Sequence, residues 1–377
     1  MAIPREEPFS ASEIARRLDG VRSAMCGKGL RAIVVLDPAN LYYLSGMNTE
    51  NFFRFQALVC PDNADPILLL PDVEMGRYEA SSWIKHIEVC EAFEDPVVRL
   101  ADVLSEAGLA SARVGFELQR PSVTVSVIRR LAESLAHVQI EDSFGIVEGL
   151  RLIKSSEELA LIRRAAELTT IGLDAGLKAL RPNVRDYTVA AQIASALYEA
   201  GSGPLYWGPI VAAGYRSGLA HSTFNGATLH EGESVFLELT GQTCRYVAPR
   251  MHTAALGELR KDAQVVEGLV TEALGVIAEA ARPGRPASEV AEAARSVVEP
   301  VLDVWRFHHF YGYPIGLFSP GSWVENLGYF LRVDNDLPLQ SGMVFHLALA
   351  FRRYGELAAG RSRLLVISDR GSELIPN

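Results

Sequence analysis

The residues best suited to chemistry lie in one segment, from His221 to Thr253. His221 opens it, and a polar turn, His230-Glu231-Gly232-Glu233, leads into an apolar strand predicted at Ser234–Leu239. That strand carries one carboxylate, Glu238, which is costly to bury unless it is paired or hydrogen-bonded. An imidazole and a carboxylate in one segment can transfer protons or attack a carbon centre. Glu238 can also face water from an edge strand, so the segment alone leaves its role open.

Two parts of the chain are expected to position these residues. Short strands alternating with helices predict a small α/β domain over residues 1–148. A boundary follows, where Ser155 and Glu158 form a capping box that begins a long helix. Two helices, strands, two more helices and strands then predict an α+β domain over residues 149–377, with an internal duplication. A second central strand is expected to hold Arg245, Tyr246, Arg250 and His252.

Composition and charge exclude several classes of partner. The net charge of −10 offers no basic surface for nucleic acid. The first residues lack the pattern of a signal peptide, and no apolar run approaches the roughly 18 residues of a membrane span. The cysteines show neither metal-binding nor disulfide spacing: Cys26, Cys60, Cys90 and Cys244. A cytoplasmic protein is therefore expected.

Motifs along nearly the whole chain resemble the creatinase/aminopeptidase P/prolidase family. The matching features, in the family's order, are Arg151-Leu152-Ile153-Lys154-Ser155 with Glu158, His221 upstream of Gly232-Glu233, His309 before Gly312-Tyr313-Pro314-Ile315-Gly316-Leu317, and Ser341-Gly342-Met343-Val344-Phe345. The resemblance implies an α+β pita-bread catalytic domain behind a smaller creatinase-type α/β domain. It also implies a homodimer.

The metal-binding positions of this family are not kept. Its peptidases hold two divalent ions with two aspartates, a histidine and two glutamates, a donor set that suits hard ions. The corresponding positions here are Glu238, Pro249, Tyr313, Ala348 and about Ser362-Arg363. Proline and alanine cannot bind a metal, and an arginine would repel one. We therefore expect no metal cofactor and no dinuclear metallopeptidase.

The non-metal branch, creatinase and especially ectoine hydrolase, is the better match. Leu237-Glu238-Leu239-Thr240-Gly241 resembles the ectoine-hydrolase strand, and Phe52-Phe53-Arg54 resembles creatinase's aromatic-plus-arginine segment. In creatinase that arginine reaches across a dimer to the substrate carboxylate, a task that suits the guanidinium fork. The resemblance thus places Arg54 near the neighbour's active site. Both relatives keep a late glutamate where this chain has Ser362 and Arg363, so the substrate should differ in charge.

The resemblance assigns roles that the residues alone leave open. His221 is the candidate proton shuttle, or a surface turn residue. Glu238 is a nucleophile or orients a water, or is a structural carboxylate paired with Arg245 or Arg250. The other candidates are substrate-binding residues, each of which could instead be structural: Phe52, Arg54, Tyr246, His252, His309, Tyr313, His346 and Arg363. His308 is expected to be structural.

These expectations favour a metal-independent hydrolase. It would cleave a C–N bond of a small amino-acid derivative that bears a carboxylate, such as an amidine, guanidino compound or cyclic amide. One alternative is a pita-bread protein that has lost catalysis and only binds a ligand or peptide. Another is a lyase or rearrangement enzyme that uses the same pocket.

Overall fold

A computed structural model describes residues 3–319, 321–325 and 327–375. The chain divides into two compact units, Met1–Arg151 and Leu152–Asn377. Each unit has its own sheet and its own hydrophobic core. Within the described ranges, no helix is long and apolar enough to cross a membrane.

The first unit is built on a mixed sheet in the order β4-β3-β2-β1-β5-β6. Its strands are β1 Ala32–Val35, β2 Ala57–Pro61, β3 Ile67–Pro71, β4 His86–Cys90, β5 Arg113–Phe116 and β6 Gln139–Asp142. Its helices are α1 Ala11–Lys28, α2 Pro38–Ser45, α3 Met75–Ser81, α4 Pro96–Glu106, α5 Val125–Ser134 and α6 Ile146–Leu152. The alternation of strands and helices predicted from the sequence is present.

Local signals explain which helices could be predicted. Ser10 caps α1, and Gly29, at φ +64°, ends it. In contrast, α2 was not predicted, although Asp37 accepts hydrogen bonds from the first turn and Pro38 occupies its start. Residues 39–45 are buried on every side. A helix buried all round has no apolar stripe, so periodicity could not reveal it.

The second unit pairs four long helices with one large sheet. The helices are α7 Ser156–Ala179, α8 Asp186–Glu199, α9 Lys261–Ala280 and α10 Ala287–Val298. The strands are β7 Ile210–Ala213, β8 Ser234–Leu239, β9 Gln242–Thr243, β10 Tyr246–Val247, β11 Arg250–Ala255, β12 Tyr313–Ser319, β13 Ser322–Val324, β14 Val344–Arg353, β15 Leu357–Ser368 and β16 Gly371–Ile375. The main sheet order is β7-β8-β11-β15-β14-β12-β10-β9. The predicted capping box of Ser155 and Glu158 begins α7.

Strand alternation separates a core-facing side of this sheet from a second side. Val235, Leu237 and Leu239 of β8 pack in the cluster that includes α7 and α8. Leu347, Leu349 and Phe351 of β14 pack in the cluster that includes α9 and α10. Side chains alternate along a strand, so the intervening residues point away from the helices. That second side carries the candidate site.

The prediction of one continuous second central strand is wrong. Cys244 and Arg245 have positive φ angles of 46° and 65°, so the chain turns sharply there. Tyr246 then lies on β10, which pairs with β9 and β12, whereas β11 pairs with β8 and β15. Because of this turn, β10 and β11 are separate strands that pair with different neighbours.

Candidate active site

The second unit contains a cavity of about 410 Å³ on the side of the sheet that faces away from the helices. Five strands contribute to its wall: β8 through Glu238, β11 through Met251, β12 through Tyr313, β13 through Ser322–Val324, and β14 through Ala348 and Arg352. Residues outside these strands complete the lining, namely Trp207, Ala220, His221, Arg306, Phe307, His308, Phe310, Gly321, Phe330 and Tyr354. The cavity therefore brings together the two predicted catalytic residues, His221 and Glu238.

Glu238 is a buried carboxyl group in the cavity wall, with 6% of its surface exposed. It cannot face water from a sheet edge, because β8 lies between β7 and β11. No described residue donates it a hydrogen bond or lies within ion-pairing distance of it, so the alternative of a structural pair with Arg245 or Arg250 is not present. Burial raises the pKa of Glu238 to about 7, although the charge of Arg352 opposes that rise.

Two arginines, Arg306 and Arg352, line the same cavity. Their backbones form a reciprocal antiparallel bridge, with N···O distances of 2.8 and 2.9 Å. Arg352 lies over Phe236, with its Cζ atom 5.2 Å from the ring centroid. Its Nε atom is buried without a hydrogen-bond partner in the described part of the chain. Burial lowers the pKa of Arg352, while the Glu238 carboxylate raises it. Sequence reasoning missed both arginines.

Tyr313 presents its hydroxyl oxygen at the junction of two further side chains. Trp323 Nε1 donates to this oxygen at 3.0 Å. His346 Nδ1 lies 2.7 Å from it, and burial lowers the pKa of His346 to about 3, so the imidazole is neutral. Burial also raises the pKa of Tyr313. The tautomer of His346 therefore decides whether Tyr313 keeps its proton for the cavity or donates it to the imidazole.

The histidines fall in different surroundings from those expected. His221 is exposed, lines the cavity and has a left-handed backbone at φ 59°. His308, which was expected to be structural, lines the cavity and donates from Nε2 to the carbonyl of Ala348 at 2.9 Å. Burial lowers the pKa of His308 to about 3, so it is neutral. His309 is exposed and is not part of the lining. The family motif thus pointed to His309 as the pocket residue, whereas His308 lines the cavity.

Register removes two other residues from the cavity. On β11, Met251 pairs with Glu238 while His252 pairs with Leu237, so His252 lies on the core-facing side. On β15, Ser362 pairs with Ala348 while Arg363 pairs with Leu347, so Arg363 also lies on the core-facing side. The predictions that His252 and Arg363 line the pocket are corrected by strand alternation. The argument that Arg363 changes the charge of the pocket loses its basis.

The remaining candidates lie elsewhere. Tyr246 is fully buried, and its hydroxyl donates to Glu158 at 2.7 Å, which ties β10 to α7. His346 lies behind Tyr313 rather than in the lining. Phe52 and Arg54 belong to a loop of the first unit, where Arg54 is exposed.

Aromatic side chains form much of the cavity wall, and of these only Tyr313 was predicted as a pocket residue. Trp207 and Trp323 lie with ring centroids 5.1 Å apart. Phe310 contacts both Phe330, at 5.0 Å, and Tyr313, at 5.9 Å. The aromatic residues around Phe307-His308-His309-Phe310 were a visible signal, but only the tertiary fold places them beside Trp207 and Phe330.

Comparison with known families identifies the chain. Residues 160–366 match the family described as Metallopeptidase family M24, and residues 17–153 match the Creatinase/Prolidase N-terminal domain. The chain belongs to family M24. The predicted family and the predicted fold class, a pita-bread domain with a creatinase-type N-terminal domain, are confirmed. The assignment to a non-metal branch stays a prediction.

Individual relatives are hydrolases by name. The ectoine hydrolase of Halomonas elongata is 24% identical over 90% of this chain and 89% of its own length. Among solved structures, dipeptidase PepE from Mycobacterium ulcerans is 25% identical, with a TM-score of 0.83 over 98% of this chain and 97% of that one. Recombinant prolidase from Thermococcus sibiricus is 19% identical, with a TM-score of 0.86 over 98% of both chains. The last likeness concerns the fold alone.

The family name implies bound metal ions, but the side chains present do not fit a metal centre. Across residues 3–319, 321–325 and 327–375, no group of three or more His, Cys, Asp or Glu side chains is placed to hold an ion. Of the expected ligand positions, Tyr313 and Ala348 line the cavity with Glu238. Ser362 Oγ instead accepts a hydrogen bond from the backbone of Met251 at 2.7 Å. One carboxylate and a phenol are a poor donor set for a divalent ion.

Proposed function

We propose that this chain is a hydrolase that cleaves a C–N bond of a small, amino-acid-derived substrate without a bound metal ion. The observation that carries the proposal is Glu238, a buried carboxyl group whose pKa is raised to about 7 in a cavity with an unsuitable metal donor set. A carboxyl group with such a pKa can accept a proton and return it near neutral pH. The names of the relatives, an ectoine hydrolase and a dipeptidase, support hydrolysis as the reaction class.

The proposed reaction uses Glu238 as the general base. Glu238 takes a proton from a water molecule while the water oxygen attacks the substrate carbon. Electrons of the C=O or C=N bond move to its heteroatom. Tyr313 donates a hydrogen bond to that atom in this mechanism, which requires the Nδ1–H tautomer of His346. When the double bond re-forms, the C–N bond breaks, and His221 supplies a proton to the leaving nitrogen.

The backbone at His221 supports a functional role for this residue. A left-handed backbone is uncommon for a residue other than glycine and costs of the order of 1 kcal/mol. At φ 59°, His221 holds that conformation in the segment that closes one side of the cavity. Such strain is typical of residues whose direction matters for binding or catalysis.

We also propose a homodimer in which Arg54 of one copy serves the site of the other. The support is the resemblance of Phe52-Phe53-Arg54 to the creatinase segment, together with the full exposure of Phe53 at 97%. An exposed phenylalanine beside an arginine suits an interface. Native mass spectrometry should show a dimer, and Arg54→Gln should raise KM with little change in mass. A monomeric active enzyme would contradict this assignment.

The proposed reaction is tested with protein dialysed against a chelator. Amidines, N-acyl amino acids and dipeptides are incubated in ¹⁸O-labelled water, and products are analysed by mass spectrometry. Hydrolysis places one labelled oxygen in the product, whereas elimination or rearrangement does not. We expect turnover that is insensitive to the chelator and that falls at least about a hundredfold in Glu238→Gln.

A matched control removes an exposed carboxylate. Glu279 lies on α9, is exposed and pairs with none of the described residues, so Glu279→Gln should leave turnover unchanged. Turnover that requires added Mn²⁺, Zn²⁺ or Co²⁺ would refute the metal-free mechanism.

Ligand binding without catalysis is the second candidate. In its favour, the resemblance puts Tyr313 and Ala348 at positions where the family's peptidases bind metal, and both residues line a cavity. This candidate predicts no product from any tested class. It also predicts that a bound ligand raises the melting temperature of wild-type and Glu238→Gln proteins alike.

A further inference from the structure

The cavity carries more positive charge than the proposed reaction uses. Arg306 and Arg352 face each other across an antiparallel bridge, and residues opposite one another in such a pair project to the same side. Both line the cavity. For the residues that the structure describes, neither guanidinium has an Asp or Glu oxygen within 4 Å, nor any side-chain hydrogen bond, although Arg306 is exposed and Arg352 is half-buried. Two adjacent cations without acceptors are suited to an anion.

The neutral and acidic groups of the lining do not balance this charge. Glu238 is the carboxyl group of the lining, and it is partly protonated near neutral pH because burial raises its pKa to about 7. His308 is neutral. A buried guanidinium Nε without a partner, as at Arg352, is costly, and a ligand acceptor would remove that cost.

The cavity also has an apolar part, an aromatic wall that we define as Trp207, Phe310, Tyr313, Trp323 and Phe330. Trp207, Phe310 and Phe330 are only half-buried, although they are large apolar side chains. The two tryptophan rings are tilted by 38° and the two phenylalanine rings by 58°, so neither pair is stacked. Phe310 does stack one face on His308, at a centroid distance of 3.7 Å. Trp207 and Phe330, which line the cavity and are half-buried, therefore leave ring surface accessible in it.

A purely structural aromatic cluster would look different. Rings that serve only as core packing bury their faces against neighbours and leave few voids larger than a water molecule. Here a volume of about 410 Å³ remains beside them, which is in the range of small-molecule sites. Half-buried rings around an open volume favour a planar apolar ligand group, since stacked or edge-to-face aromatic pairs stabilise such contacts.

We propose that the cavity selects a substrate that combines a planar aromatic group, held by the aromatic wall, with an anionic group held by Arg306 and Arg352. That this ligand is a substrate rests on the proposed function, whereas its binding to the cavity does not. The scissile C–N bond then lies between the two groups, beside Glu238. An N-aroyl amino acid has this arrangement of aromatic ring, amide and carboxylate.

Three probes separate the two parts of the subsite: N-benzoylglycine, N-acetylglycine, which lacks the ring, and N-benzoylglycinamide, which lacks the charge. Binding is measured by titration calorimetry with the full-length Glu238→Gln chain, so that heat of turnover does not interfere. N-Benzoylglycine should bind at least about tenfold more tightly than either truncated probe. Equal affinities, or no binding of N-benzoylglycine at millimolar concentration, would overturn the proposal.

Substitutions assign each preference to its residues. Adding Arg352→Gln should abolish the preference for the carboxylate over the amide while keeping the preference for the ring. Adding Phe330→Ala, with Phe330→Leu as a milder change of volume, should do the reverse. Arg295 is exposed on α10 and paired with Glu292, so Arg295→Gln should leave all three affinities within about twofold. A similar loss in Arg295→Gln and Arg352→Gln would refute the assignment.

Failure of this subsite and failure of the proposed function are distinguishable. The probe preferences are read as affinities in a chain that lacks the proposed base. Turnover and its dependence on Glu238 are read in the wild-type chain. Tight binding of N-benzoylglycine without hydrolysis would keep the subsite and remove the reaction.

Discussion

Replacing Glu238 by glutamine should change the stability of the second unit relative to wild type in a way that depends on pH. The variant should gain on the wild-type protein as pH rises from acid to alkaline. The pKa of Glu238 is about 7 in the fold, against an ordinary value of 4.5. The fold therefore prefers the protonated carboxyl group. This preference is fully present below pH 4.5 and is lost as pH rises through about 7, so ionisation of Glu238 destabilises the folded state at higher pH.

The magnitude follows from the displacement of the pKa. One pKa unit corresponds to 1.36 kcal/mol, so a rise from 4.5 to about 7 corresponds to about 3 kcal/mol once both states are ionised. Between pH 5 and pH 8 the change is about 2.5 kcal/mol by the same linkage relation. Glutamine does not titrate, so the variant lacks this part of the pH dependence. For a unit of this size, the difference amounts to roughly 5–10 °C in melting temperature.

The assay is thermal or urea unfolding of wild-type and Glu238→Gln chains at pH 5, 6, 7 and 8. The relevant quantity is the change in their stability difference with pH, because a buried amide adds an offset that does not depend on pH. Other titrating groups are common to both chains and cancel. Glu279→Gln, on the exposed side of α9, should show no such change. A stability difference that is the same at pH 5 and pH 8 would refute the burial argument.

Three further predictions concern pH, ion pairing and backbone space. In wild type, kcat/KM should rise as pH increases through about 7, because the base Glu238 must be ionised. The positive charge of Arg352 lowers the pKa of Glu238, so Arg352→Gln should move the midpoint of this rise to higher pH. A midpoint that does not move would contradict this coupling. Lys154→Met should destabilise the chain in urea unfolding because it removes the buried ammonium that pairs with Glu325. Adding Glu325→Gln should recover part of the loss, and equal instability of the single and double variants would refute this. Gly360→Ala should destabilise the folded chain by more than about 2 kcal/mol. Gly360 has a φ of +128°, and a Cβ atom there would lie 2.1 Å from a carbonyl oxygen of β14. A melting temperature equal to that of wild type would disprove this clash.

Local signals carried much of the fold prediction. The capping box at Ser155 and the proline and glycine stops fixed the long helices because they depend only on neighbouring residues. Alternation at Ser234–Leu239 correctly separated Glu238 from Val235, Leu237 and Leu239 of β8. In contrast, the sharp turn at Arg245 requires a left-handed backbone that the sequence does not specify for a residue of that type.

The errors at the site have one physical origin. Alternation tells which residues of a strand share a side, but only pairing with neighbours tells which side faces the cavity. A shift of one residue exchanges Met251 for His252 and Ser362 for Arg363, and in both cases the motif drew attention to the more reactive side chain. Arg352 could not be placed without the register of β14.

The cavity residues also explain why a ligand should form hydrogen bonds with Glu238 and Arg352. Among the described residues none donates a hydrogen bond to Glu238 and none accepts one from the buried Nε atom of Arg352, although the two charges attract across the same cavity. Since the sheet holds β8 and β14 apart through β11 and β15, the side chains are kept separate. The strands therefore preserve two unsatisfied groups of opposite character, and a substrate that donates to one and accepts from the other recovers free energy that the fold itself leaves unused.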